Sequence, residues 1–248
     1  MPKFAANLSL LFTEYPYADR FAAAAKAGFE AVEVLFPYAE IDATLAGLSA
    51  QGQELVLINA PLPNPAAGHL GLAATPGAEQ EFRNEMSGLL EHAIRLKPGQ
   101  MHIMSGNGAG QAALDTFMSN LEWLLETAPN QRFTLEPLNP RDRPDYFLND
   151  YDLAAEILDR IGSERLGLQY DTYHSALIHG DALEVWQKHG QRATHVQIGN
   201  PPNRSEPGPG DVDFPTFFAE LDASGYGGWV SAEYNPTRQT EETLAWMA

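Results

Sequence analysis

The 248-residue chain has no cysteine, and that single absence removes disulfides, thiolate metal sites and cysteine nucleophiles together. It is also poor in positive charge. Fifteen Lys and Arg face 33 Asp and Glu, for a net charge of −18. A surface this acidic repels phosphate backbones and anionic bilayers, so a general nucleic-acid binder and a membrane-surface protein are both disfavoured. No apolar run approaches the roughly 18 residues needed to span a membrane. The early stretch Leu8 to Phe12 is too short for a signal-peptide core and lacks its flanks, so a cytoplasmic location is expected. Nucleotide signatures are missing too: no Gly-x-Gly-x-x-Gly follows the first apolar run, and no Gly-Lys-Ser/Thr phosphate loop occurs.

What is present is a rhythm. With 44% hydrophobic residues the chain can bury one sizeable core. Short apolar runs recur at Phe4–Leu10, Ala31–Phe36, Leu55–Ala60, Met101–Met104, Phe133–Leu138, Leu166–Tyr170, Thr194–Ile198 and Trp229–Tyr234, the composition of buried parallel strands. Helical spacing lies between them. Arg20–Ala27 stops at Gly28. Glu79–Leu96 and Leu114–Glu126 carry apolar residues at three- and four-residue steps. Tyr151–Ile161 follows the capping residues Asn149 and Asp150 and stops at Gly162. Phe214–Leu221 and Glu241–Met247 complete the series. Eight strand–helix alternations in about 250 residues predict a single α/β domain over residues 1–248, a (β/α)8 barrel, with a doubly wound open sheet as runner-up. Two long loops, Pro61–Pro76 and Asn200–Asp213, follow the third and seventh strands, at the end where a barrel builds its active site.

Each run splits into two side-chain phases. Phe133 and Leu135 oppose Thr134 and Glu136; Leu168 and Tyr170 oppose Gln169 and Asp171; Val196 and Ile198 oppose His195 and Gln197; Val230 and Ala232 oppose Ser231 and Glu233. The apolar phase should face the helices and the polar phase the barrel axis, and Asn7, Glu33, Asn59 and His102 fall in the polar phase of the earlier runs. Glu136, Asp171, Gln197 and Glu233 then stand at four consecutive strand ends, separated by 35, 26 and 36 residues. Three unpaired carboxylates in one barrel mouth would repel strongly; one divalent cation would resolve that, and oxygen donors without thiolates suit Mg²⁺ or Mn²⁺, with Co²⁺ and Zn²⁺ also compatible. The competing reading is that each carboxylate pairs with a nearby Arg or Lys or caps a helix. For Glu33 a buried Lys or Arg partner competes with a place in the site. His102 and His195 read as satisfied core histidines, Trp123 as core and His69 as a solvated loop residue.

These segments resemble the hydroxypyruvate isomerase family, which includes the 2-oxo-tetronate isomerases, within the xylose-isomerase-like barrels. Leu135-Glu136-Pro137-Leu138-Asn139-Pro140-Arg141-Asp142 is similar to its strongest signature. Gln169-Tyr170-Asp171-Thr172-Tyr173-His174, His195-Val196-Gln197-Ile198 and Glu233-Tyr234 are similar to the other three stations, and Phe12-Thr13-Glu14 and Val34-Leu35-Phe36-Pro37-Tyr38 match as well. The resemblance implies that Glu136, Asp171, Gln197 and Glu233 hold one divalent metal and that Glu136 and Glu233 transfer protons. It implies that His174 and Arg204 bind substrate. Asn7 and Asn59 either hydrogen-bond substrate or close the polar network of the barrel. Two loops depart from the family pattern: Asn203-Arg204-Ser205-Glu206-Pro207 stands where Gly-Arg-His-Glu-Pro is usual, and Pro61–Gly71 lacks a Gly-Asp-Trp. The implied reaction is isomerisation of a small hydroxy-keto acid, hydroxypyruvate or a 2-oxo-tetronate, by proton transfer through an enediolate. A ketose 3-epimerase, an endonuclease-like enzyme and a non-catalytic metal- or ligand-binding barrel are the rival readings. The metal in the cell, the carbon count of the substrate, homo-oligomerisation and a lid role for the two loops stay open.

Overall fold

A computed structural model describes residues 2–63 and 70–247. Eight parallel strands close into a barrel in chain order: β1 (Lys3–Asn7), β2 (Ala31–Glu33), β3 (Glu54–Asn59), β4 (Gln100–His102), β5 (Phe133–Leu135), β6 (Leu166–Asp171), β7 (Ala193–Ile198) and β8 (Trp229–Ala232), with β8 pairing back onto β1. The helices are α1 (Tyr17–Lys26), α2 (Ile41–Gln51), α3 (Glu79–Leu96), α4 (Gly110–Thr127), α5 (Tyr151–Ile161), α6 (Thr172–His179), α7 (Ala182–His189) and α8 (Phe214–Ala223). This is the expected (β/α)8 barrel, and the open sheet is excluded by the β1–β8 pairing.

The helix ends follow from local chemistry. Asp150 accepts the Leu153 N–H at the start of α5, and Gly162, at φ 62°, closes it in the left-handed conformation. Outward strand residues pack on the helices: Tyr170 stacks on Phe217 of α8 and meets Trp186 of α7 edge-on. Trp123 packs partly buried against the core, edge-on to Phe82 with Arg83 over its ring.

Three elements differ from the expectation. Residues Thr240–Met247 form 3-10 turns instead of an α-helix after β8. α2 has small residues and a central Gly47, a poor helix former; a Cβ there would lie 2.4 Å from the Phe21 ring of α1, so close packing dictates the glycine. The β6–β7 crossover holds two short helices, α6 and α7, where no periodic run was apparent. His69 lies outside the described residues, as do positions 64–69 of the Pro61–Pro76 loop.

The strand register breaks twice, between Val32 and Glu33 against β3 and between Leu168 and Gln169 against β7. Such irregularities re-aim side chains. Here they set the heights of Glu33 and Gln169 within the barrel.

Candidate active site

Glu136 follows the last residue of β5, Asp171 ends β6, and Glu233 follows β8. All three are buried, at 5%, 0% and 5% exposure. Their charge is met by one guanidinium. Arg204 Nη2 lies 2.6 Å from Asp171 Oδ2 and 2.9 Å from Glu233 Oε2, and its Nε donates to the Glu233 carbonyl at 3.1 Å. The β7–α8 loop aims this side chain by force. Arg204 has φ 54°, a left-handed conformation a non-glycine residue rarely adopts. It is held there by reciprocal backbone bonds between Asn200 and Ser205 and by the Asn235 N–H donating to its own carbonyl at 2.7 Å. Glu206, accepting from Thr237, pins the next residues. Residues 200–206 are thus tied to the β8 end.

Burial, with mutual repulsion from Glu233 and Asp171, pushes the Glu136 carboxyl well above its usual range. Burial also raises Glu233, against the opposing pull of Arg204, and lifts Asp171 to about 6. For Arg204 burial disfavours the charge, but Glu233, Asp171 and Glu136 outweigh it and hold the proton on. One cation among three carboxylates leaves a deficit of positive charge. Its marks are two buried oxygens, Glu136 Oε1 and Glu233 Oε2, without a hydrogen-bond partner among the described residues; the 2.9 Å approach of Arg204 to Glu233 Oε2 is an ion pair lacking hydrogen-bond alignment.

His174 sits three residues after Asp171. Asp171 caps α6 by accepting the Tyr173 N–H at 2.8 Å, which brings the third helical side chain back over the strand end. Ligand atoms of Glu136, Asp171 and His174 lie within 4.8 Å of one another, so geometry alone admits all three to one metal. The imidazole's other nitrogen argues otherwise. His174 Nδ1 accepts the Asn139 backbone N–H at 3.0 Å, and a backbone N–H can only donate. Burial drives the His174 pKa well down, so the ring is neutral and its one proton is on Nε2. Nε2–H lies 3.9 Å from Glu136 Oε1 and 3.8 Å from Asp171 Oδ2, too far to bond either, and is a donor rather than a ligand. Asn139 is itself fixed by Asp142, which accepts from Tyr173 at 2.6 Å.

Beneath the carboxylates runs a buried polar layer. Glu33 accepts from Asn7 Nδ2 (2.7 Å), Gln197 Nε2 (2.6 Å) and His195 Nε2 (2.6 Å). No Lys or Arg pairs with it among the described residues, so its expected basic partner is replaced by an imidazole and two amides. Gln169 Nε2 donates to Glu136 Oε2 (2.9 Å) and to Gln197 Oε1 (2.8 Å), and Gln169 Oε1 accepts the Thr134 hydroxyl (2.8 Å). His102 Nδ1 is 3.3 Å from Asn59 Oδ1 and 3.5 Å from Glu136 Oε2. Burial, with His195 nearby, lowers His102 to about 3.

The structure therefore brings Glu136, Asp171, Glu233, His174 and Arg204 into one cluster, with Gln197 joined to it through Gln169. Asn59 reaches it through His102. Asn7 does not reach it: its amide is committed to Glu33 and to the Ser9 N–H. Helix capping, the rival role for a strand-end carboxylate, is real for Asp171 but uses only Oδ1. Gln169, Asn139 and Asp142 were not singled out as site residues. The polar phase shared with Asp171 pointed to Gln169, and the Glu136–Asp142 segment contained the other two.

A family model described as a xylose isomerase-like TIM barrel matches residues 21–248. The chain belongs to that family. A 2-oxo-tetronate isomerase of Cupriavidus necator is 39% identical over 254 residues, covering 100% of this chain and 98% of its own. The hydroxypyruvate isomerase of Escherichia coli is 33% identical with the same coverage. A crystal structure named AP endonuclease, family 2, from Brucella melitensis superposes with a TM-score of 0.94 at 39% identity, covering 100% and 98% of the two chains. Within the xylose isomerase-like barrels the chain thus falls in the hydroxypyruvate isomerase family, and it is an isomerase. Among the described residues no helix is long and apolar enough to cross a membrane.

Proposed function

We propose that the protein is a metal-dependent, cytoplasmic isomerase of a small hydroxy-keto acid, converting hydroxypyruvate to tartronate semialdehyde or a 2-oxo-tetronate to its 3-oxo isomer. The names of the curated relatives support the substrate class. The observation that carries the reading is a shortfall of positive charge: three buried carboxylates share the Arg204 guanidinium, and Glu136 Oε1 has no partner among the described residues, beside a fixed imidazole donor. The donor set fits a hard divalent cation, Mg²⁺ or Mn²⁺, held by Glu136, Asp171, Gln197 and Glu233. Such an ion would supply positive charge against the negative charge that develops on neighbouring substrate oxygens.

The chain's own groups divide the remaining work. Glu136 and Glu233 are carboxylates whose raised basicity suits them to take a proton from the carbon beside a carbonyl and return one to the next carbon. His174 Nε2–H holds a substrate oxygen in place. Arg204 offers charge to the anionic substrate from a partly exposed position at the rim of the cluster. The net charge of −18 and the compact single cluster argue against the endonuclease chemistry that one structural relative's name mentions.

The test is turnover of hydroxypyruvate and 2-oxo-tetronates with added Mg²⁺ or Mn²⁺, neutral ketohexoses serving as the counter-substrates. Preference for the keto acids supports the reading. Preference for ketohexoses would reassign the site to 3-epimerisation, and metal binding without turnover of either would make the barrel a binding protein.

A further inference from the structure

An amide side chain has two ends that differ only in donating or accepting, and its surroundings decide which way it faces. Glu33 decides for Gln197. Its carboxylate is fully buried and offers only acceptors, so the end of Gln197 against Glu33 Oε1, at 2.6 Å, is the NH₂. The Gln197 carbonyl must then face the other way, where it meets Gln169 Nε2 at 2.8 Å. Gln169 is caught between two acceptors, Gln197 Oε1 and Glu136 Oε2, so its own NH₂ faces both and its carbonyl takes the Thr134 hydroxyl. Glu136 is thereby held by Oε2, and Oε1 is the oxygen left over. Each orientation is fixed by the one before it, starting from a single residue at the end of β2, with Gln169 donating both back to Gln197 and on to Glu136.

We propose that Glu33 is the orienting carboxylate of the active site: through Gln197 and Gln169 it makes Gln197 present its carbonyl, and Glu136 its Oε1, to the metal and substrate. Glu33 is a positioning residue, separated from the reacting atoms by these two amides. The proposal rests on the reading above that Gln197 is a metal ligand. It explains why a buried carboxylate with two amide donors and an imidazole, and no Lys or Arg partner among the described residues, lies beneath a site already crowded with negative charge. A cavity-filling role would be served as well by an apolar side chain, and charge balance would be served better by one.

Two variants separate orientation from charge. Glu33→Met keeps the length but removes every acceptor, freeing Gln197 to turn. Glu33→Gln also removes the charge, yet its carbonyl can still take the Gln197 NH₂ while its own NH₂ meets the His195 ring in the other tautomer. Mn²⁺ affinity, read by calorimetry and by electron paramagnetic resonance, should fall about 10- to 100-fold in Glu33→Met, the usual effect of removing a partner that orients a ligand, and only slightly in Glu33→Gln. Equal losses in the two variants would reduce Glu33 to a distant charge, and no loss in Glu33→Met would remove it from the site; either overturns the proposal.

Should Glu33→Met not fold, neutron diffraction on the wild-type protein gives the answer directly. Deuterons on Gln197 Nε2 pointing at Glu33 support the proposal, and the reverse amide orientation refutes it. If wild-type protein binds no Mn²⁺, the metal reading itself fails, while the neutron result still judges the orientation on its own.

Discussion

Towards the N-terminal ends of the strands, Ala5, Ala31, Val56 and Leu57 form a small apolar cluster, and one reciprocal pair bridges the barrel: Thr194 Oγ1 donates to Gln100 Oε1 at 2.6 Å and Gln100 Nε2 to the Thr194 carbonyl at 2.8 Å. Gly167 makes room for that pair, since a Cβ there would lie 2.2 Å from the Thr194 side chain. Towards the C-terminal ends, the same strands bury Glu33, Glu136, Asp171 and Glu233, with Arg204 as the one guanidinium among the described residues bonded to the cluster. In the lower layer the Gln100 and Thr194 pair satisfies its own polar groups with neutral partners. The upper layer does not close: Glu136 Oε1 is left without a partner among the described residues, Glu233 Oε2 has only the ion pair to Arg204, and the Glu136 and Glu233 pKa values are driven up. Open space alone does not mark the working end. A hollow of about 600 Å³ lies below, lined by Lys3, Glu54, Lys97 and Arg132, but these are exposed side chains free to keep their water. Unresolved buried charge, rather than cavity size, separates the end that carries the proposed site from the end that holds the fold.

The contrast breaks most visibly at the proposed proton-transfer pair. Glu136→Gln and Glu233→Gln keep the shape and an oxygen at each position but remove the base, so each should lower kcat by ~10²-fold or more. Steady-state assays on metal-saturated protein check this, and a double variant scarcely worse than either single one would show the two acting as a unit.

Arg204→Ala should come next. It leaves Asp171 and Glu233 buried without their cation, and the metal-free protein should lose about 3 kcal/mol of stability, read by chemical denaturation. Divalent metal should recover much of that loss, because it replaces the missing charge. KM for the keto acid should rise.

The two layers should also differ in their response to pH. In the folded chain Asp171 is raised from 3.8 to about 6, so the fold favours its protonated form. The metal-free protein is therefore stabilised at low pH and loses that contribution as pH rises through about 6. Metal needs the ionised carboxylates, so its affinity should climb over the same window. Melting temperatures from pH 4 to 8 with and without Mn²⁺ should thus diverge. The lower layer carries no such charge. Thr194→Val there should cost only about 1 kcal/mol, the loss of one partly buried hydrogen bond, with kcat unchanged.

Much of the upper layer was legible in the sequence, because strand alternation is a strict period of two and polar residues in the inward phase are costly without a purpose. Glu136, Asp171, Gln197 and Glu233 emerged from that period, as did all eight strands. What escaped depends on distances the period does not encode. Arg204 could be placed in the loop after β7, but its left-handed backbone, and hence its seat between Asp171 and Glu233, comes from bonds to Asn235 and within the Asn200–Ser205 turn. The state of His174 depends on a backbone N–H 35 residues away. α2 escaped because Gly47 serves packing on Phe21 rather than helix propensity.

The central claim is that two buried carboxylates move a proton between neighbouring carbons. Turnover of the keto acid by metal-saturated wild-type protein in D₂O tests it, with deuterium located in the product by NMR. A proton that resides on Glu136 or Glu233 exchanges with solvent before it is returned, so the product should carry deuterium at the carbon that receives it. Complete retention of the substrate's hydrogen at that carbon would contradict the account.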